Sequence, residues 1–238
     1  MAYNTTDTTN FNLDLNEVIE EAFERCGREL RTGYDFRTAT RSLNLMLLEW
    51  ANRGINLWTI SEGSISLVSG TATYNLPADT VDLLDHVIRT NSGINQADTT
   101  INRISNSVYA TIPNKNVTGL PIQIVVKRLS GANNSSGVTQ YPQVTVWPVP
   151  DDSQPYTLVY WRLRRIQDQG TGISGQDIPF RFLPCLVAGL AYYLSLKLPD
   201  VDPNRPVMLK AIYDEEWQRA SDEDREKATV RFVPKAQI

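Results

Sequence analysis

Apolar residues recur at intervals of three and four at both ends of this chain and alternate with polar ones in its middle, which predicts helices outside and strands inside. Near the start, Leu15, Val18, Ile19, Ala22, Phe23, Cys26 and Leu30 form one helical stripe. Asp14 followed by Glu17 is close to a capping box, so this helix is expected to begin after Asp14 and to end near Gly33. A second helix is expected from Phe36 to Asn52, with Phe36, Ala39, Leu43, Met46, Leu47 and Trp50 as its main stripe and Gly54 at its end. Leu45 and Leu48 add a second apolar side to it, which predicts cover from two directions. Toward the other end, Phe182, Leu183, Leu186, Val187, Leu190, Ala191, Tyr193, Leu194 and Leu198 leave almost no polar face, the mark of a helix buried all round. At about 17 residues, interrupted by Tyr192 and Lys197, it is short for a membrane span, and no membrane contact is expected. Pro184 suits its first turn, and Pro199, Pro203 and Pro206 end it and turn the chain. Asn204 is a candidate cap for a last helix, whose stripe is Leu209, Ile212, Tyr213, Trp217 and Ala220.

From Ile55 the period drops to two, and residues 166–178 read as a Gly and Gln loop returning to the buried helix. Gly63 and Gly70 are expected to punctuate two short strands around Ile60 and Ile65, and Thr71–Leu76 reads as another. Asp79–Asp85 fits a helical turn or an extended crossing, residues 91–100 a polar loop, and Asn102–Thr111 a short helix. Val87–Arg89, Ile122–Leu129, Gln143–Trp147 and Thr157–Arg164 read as strands. The expected fold class is therefore α+β: an antiparallel helical bundle formed by both chain ends, residues 1–54 and 178–228, with an inserted β-rich domain, residues 55–177. Residues 229–238 form an extended C-terminal tail in which Val230, Phe232 and Val233 alternate with Arg231. Its exposed Phe calls for a partner surface, with fraying as the alternative.

Composition narrows the function. The 238 residues are 41% hydrophobic and 21% charged, ordinary for a chain with a real core. Net charge −4 and pI near 5.1 argue against affinity-driven binding to duplex DNA, which needs clustered Lys and Arg. No apolar run follows Met1, so no signal peptide is expected. Cys26 and Cys185 lie in helical apolar patterns and read as free buried thiols. The single histidine, His86, reads as structural; it rules out a histidine-based metal cluster and argues against a nucleophile–base pair. Phosphate-cradling, dinucleotide and nucleophile-elbow motifs are missing from the sequence, so no enzyme and no cofactor are expected. Asp79, Asp82 and Asp85, spaced by three, could hold a divalent ion on one helix face, the basis of a metal-dependent hydrolase as an alternative; a solvated acidic turn is the simpler reading, so no metal is assigned. Trp161 with Arg162, Arg164 and Arg165 is the best partner patch in the strands. A monomeric α+β binding module is the other alternative.

The order of several stretches resembles the tail adaptor proteins of short-tailed bacteriophages, the head-to-tail connectors also called tail tubular protein A. These stretches are Glu49-Trp50-Ala51-Asn52-Arg53-Gly54-Ile55-Asn56-Leu57-Trp58, Glu62-Gly63, Tyr74-Asn75-Leu76-Pro77, Val81-Asp82-Leu83-Leu84-Asp85 and Val146-Trp147-Pro148-Val149-Pro150-Asp151. The helix from Pro179 to Lys197 and the last helix, with Leu209, Tyr213, Trp217 and Ala220, extend the likeness over about residues 13–227. The resemblance implies a structural protein of the virion neck, assembled in the host cytoplasm as a homo-dodecameric ring beneath the portal. It implies the portal protein and the tail nozzle protein as partners, with DNA passing through the lumen without specific binding during genome ejection. It also implies that the tail segment, with Val230, Arg231, Phe232 and Val233, reaches the portal, and that the β-rich domain, with Trp161, Arg162 and Arg164, carries the nozzle.

Overall fold

The computed structural model of the protein describes residues 8–9, 11–54, 57–133, 136–170, 175–199 and 201–225. It is a mixed α+β chain with, among the described residues, five α-helices: α1 (Leu15–Cys26), α2 (Gly33–Asn52), α3 (Asn106–Thr111), α4 (Leu183–Ser195) and α5 (Arg205–Glu223). Two compact units result, Met1–Trp58 with Ile166–Ile238, and Thr59–Arg165.

In the first unit, α1 opens on a complete capping box: the Glu17 N–H donates to Asp14 Oδ1 and the Asp14 N–H to Glu17 Oε2, both at 2.9 Å. It stops at Cys26, earlier than the periodicity suggests, because Gly27 takes a left-handed conformation (φ 81°) that a glycine adopts without strain. Leu30, though part of the apolar repeat, lies beyond that stop. Thr32 Oγ1 accepts the Asp35 N–H at 3.2 Å and so starts α2 at Gly33, one turn before the apolar stripe begins.

One hydrophobic core is shared by Leu15, Val18, Ile19 and Phe23 of α1, Leu43, Met46 and Trp50 of α2, nearly every residue of α4, and Leu209, Tyr213 and Trp217 of α5. Four aromatic rings centre it. Trp50 lies 5.7 Å from Phe182 and 5.0 Å from Trp217, and Trp58 lies 4.7 Å from Phe182. Trp58 also donates its indole N–H to the Asp177 carbonyl at 3.1 Å, and Ile166 is buried in the same core, so Trp58 and Ile166 pack with the helices. Gly189 lets neighbouring helices approach α4 closely. A Cβ there would stand 2.5 Å from Met46 Sδ and 2.8 Å from Tyr213 Cε2. Three expectations change. Asn204 makes no side-chain cap, Ile212 is 37% exposed, and among the described residues none supplies the second cover expected over Leu45 and Leu48, which are 52% and 41% exposed.

The second unit holds two four-stranded sheets. Its strands are β1 (Ile60–Ser66), β2 (Thr73–Asn75), β3 (Thr80–Thr90), β4 (Ala97–Thr100), β5 (Asn102–Arg103), β6 (Gln123–Lys127), β7 (Gln143–Trp147) and β8 (Tyr156–Arg164). One sheet has the order β1-β8-β3-β4 and is antiparallel throughout; the other has the order β2-β7-β6-β5, with only β5 and β6 parallel. Leu83, Ile88, Leu158 and Tyr160 of the first share a core with Ile124, Val144 and Val146 of the second. Asp79 closes a turn in which the Thr80 N–H donates to the Pro77 carbonyl, and residues 80–85 are extended rather than helical, with two register irregularities that bend β3 there. Gly63 sits inside β1 rather than between strands, opposite Tyr160, whose ring occupies the place of a side chain: a Cβ would lie 2.6 Å from it. The polar segment 91–100 includes β4, an edge strand whose residues are all exposed, so no apolar alternation marks it.

Candidate interaction surfaces

The three aspartates of the acidic turn are taken up by arginines or separated. Asp79 Oδ1 pairs with Arg162 NH1 at 2.6 Å, and Asp82 Oδ1 pairs with Arg103 NH2 at 2.8 Å, with Arg128 at 3.6 Å from its other oxygen. Asp79 lies in the turn before β3, while the bulges in β3 set Asp82 opposite Leu163 and Asp85 opposite Trp161, on one face of the sheet; the three carboxylates are thus not gathered as they would be on one helix face. Among the described residues no three His, Cys, Asp or Glu side chains come together as metal ligands.

Strand alternation also separates the arginine patch. On β8, Tyr156, Leu158 and Tyr160 face the core, so Arg162 and Arg164 continue that face toward the strand end while Trp161 points the other way. Arg162, with its side chain 14% exposed, is held by Asp79 and also donates to Thr80 Oγ1 at 3.0 Å. Trp161 and Arg164 are half-buried. The tail residues Val230, Arg231, Phe232 and Val233 lie outside the described residues.

His86 is half-enclosed in β3, opposite Tyr160 on β8. Burial, and then the charge of Arg103, lower its pKa from the ordinary 6.5, against a smaller upward pull from Asp85 and the Ile101 backbone. In the helical unit, Glu49 gathers the phenol of Tyr193 and the guanidinium of Arg53. Burial alone would raise the Glu49 pKa, but those two hydrogen bonds win and hold it below the usual carboxylate range. Tyr193 is pushed up to about 12, by burial first and then by its bond to Glu49. Arg53 lies over the rings of Trp217 at 4.3 Å and Tyr213 at 5.3 Å. Burial pushes the Cys26 thiol up to about 11 and Cys185 further in the same direction, so neither is a thiolate at neutral pH.

What the surface does offer are two faces on the helical unit. Between α1 and the start of α4 runs a groove of about 1060 Å³. Phe11, Leu183, Pro184 and Val187 supply its apolar lining, and Glu17, Glu20, Glu21 and Glu24 its acidic one. On α2, Tyr34, Arg37, Arg41, Leu45 and Leu48 are all exposed. The sequence carries the signal for the second face in Leu45 and Leu48; the first needs the fold, because Phe180–Val187 and α1 are distant in the chain.

The chain was compared with known proteins. No curated protein matches it. Among solved structures, a chain described as "Neck of empty GTA particle computed with C6 symmetry" aligns with 90% of this chain and 90% of its own length at 11% identity. Its TM-score of 0.24 is too low to carry an argument. The family model described as SU10 adaptor protein matches residues 13–234. With its length from Leu13 to Pro234 accounted for by that one model, in line with the tail-adaptor resemblance read from its sequence, the chain belongs to the SU10 adaptor protein family.

Proposed function

We propose that this structural phage protein is a head-to-tail adaptor whose copies form a ring between the portal and the tail nozzle, a conduit for DNA. The observation that carries the reading is the family match over residues 13–234. The helices of both chain ends, α1, α2, α4 and α5, make the antiparallel bundle of each copy, and their shared core supports this. The unit Thr59–Arg165 carries the next tail component, with Trp161 and Arg164 among its contact residues and Arg162 steadied by Asp79. Val230, Arg231, Phe232 and Val233 reach the portal, and twelve copies complete the ring. An acidic chain suits a conduit, since a lumen poor in Lys and Arg does not hold the passing phosphates.

The test mixes purified protein with portal-bearing heads and images the vertex by electron microscopy. A ring beneath the portal is the expected result; bare vertices at saturating protein overturn the reading. Deleting residues 229–238 weakens docking while leaving the circular dichroism spectrum nearly unchanged. A truncated chain that docks as well as the whole one removes the tail's role without touching the ring.

A further inference from the structure

Both faces of the helical unit combine apolar side chains with a prevailing charge, and the signs are opposite: the groove's four glutamates outnumber its one cation, Arg25, which Glu21 pairs at 2.8 Å. At roughly 100° per residue, Tyr34, Arg37, Arg41, Leu45 and Leu48 fall within about 80° of arc on α2, a single stripe. Arg37 and Arg41 have no ion-pair partner among the described residues, and the same holds for Glu20 and Glu24 on α1. Each pair is spaced by four residues, about 6 Å along its helix, so the two pairs can match in one docking. Beside the glutamates, Leu183, Pro184 and Val187 offer an apolar floor for Leu45 and Leu48. No residue belongs to both faces, so one copy can use them at once.

We propose that the α2 stripe of one copy docks in the α1–α4 groove of the next, and that this is the contact that builds the ring. The inference rests on the ring reading above and names the surfaces that make it. The occupant is a second copy because the complementary partner is present on the same chain. A two-fold contact is disfavoured on both faces, since α2 against α2 would set arginine on arginine and groove against groove glutamate on glutamate. A contact between two different faces leaves one of each free on every dimer, and repetition closes a ring when the rotation allows it. Docking would also supply the second cover that Leu45 and Leu48 lack in the isolated chain.

Sedimentation velocity on the full chain tests this, with circular dichroism confirming that each variant folds. The wild type is expected to associate with rising concentration. Arg37→Glu with Arg41→Glu, and separately Glu20→Arg with Glu24→Arg, are each expected to weaken association by about 100-fold or more, because like charges then meet across the contact. Mixing the two variants in equal amounts is expected to restore association, since every contact again pairs opposite charges. Leu45→Ser with Leu48→Ser weakens it without changing charge. Variants that associate like the wild type, or a mixture that stays monomeric, overturn the pairing. If both charge-reversed variants still form rings on heads, the pairing falls and the ring reading stands. If the wild type neither associates alone nor rings the vertex, the ring reading falls and the pairing with it.

Discussion

The indole N–H of Trp50 donates to the phenolic oxygen of Tyr213 at 2.8 Å, a buried bond between α2 and α5 that spans 163 residues of chain. Tyr213→Phe removes that acceptor. A hydrogen bond of this kind contributes about 0.5–1.5 kcal/mol net, so the variant is expected to unfold at lower urea with an unchanged slope. A midpoint equal to the wild type's would mean that the two ends of the chain are not tied there.

Gly189→Ala sets two effects of opposite sign against each other. Alanine is the better helix former by about 1 kcal/mol. Its methyl, however, enters the space of Met46 Sδ and the Tyr213 ring. The thioether can move, but the ring, held by Trp50, cannot easily follow, and overpacking costs about 1–3 kcal/mol. A net loss of thermal stability is expected. Gly33→Ala is the contrast: nothing lies within 4 Å of a Cβ there, and the expected change is a small gain. Calorimetry on the two variants reads the difference directly.

The helices were legible because their signals are local. Asp14 and Glu17 form the capping box that their spacing announces, and Trp50, Tyr213 and Trp217 are buried where the stripes put them. Boundaries drifted where a single residue overrode periodicity: Gly27 ends α1 while the apolar repeat runs on to Leu30. In the strands, Gln143–Trp147 matches β7, but Asp79–Asp85 could not be told from a helical turn, because its aspartates recur at the helical interval of three and the two bulges that carry this interval in β3 arise only on pairing with β8. β4 is paired through the Arg89–Asp98 bridge on an exposed edge, a signal that no apolar pattern carries. The groove was hidden for a different reason. Glu20 and Val187 meet only once the core brings α1 against α4.

Asp224 anchors the end of α5. Its side chain is fully buried, pairs with Arg181, and accepts the Leu57 N–H at 3.1 Å. Asp224→Ala leaves both donors without an acceptor. Breaking a buried pair costs about 3–5 kcal/mol, but Arg181 is 31% exposed and regains water, so a loss nearer about 2 kcal/mol is expected. Asp222→Ala, two residues away, removes two solvent-exposed contacts, the bridge to Arg225 and a bond from the Gln218 amide, and is expected to change stability by less than about 1 kcal/mol. Equal effects in a denaturation series would show that Asp224 is not the anchor.

His86 gives the β-rich unit a pH dependence with a defined sign. Its folded-state pKa lies below the unfolded 6.5, so the unfolded chain binds the extra proton first as pH falls. The stability contribution is therefore whole above about pH 6.5 and declines through the lowered folded value. Asp98 and Asp151 also titrate low, held down by hydrogen bonds from Arg89 and Ser153. Their losses belong to pH below about 4, where carboxylates gain protons, and leave the interval between about pH 5 and 7 to the chain's single histidine. Hydrogen exchange along β3 and β8 should accordingly quicken between pH 7 and 5, after correction for intrinsic exchange, more in the wild type than in His86→Phe. The variant keeps a ring opposite Tyr160 but carries no titrating nitrogen, so its protection in that interval should be nearly flat. Equal slopes in both proteins would place the acid sensitivity elsewhere.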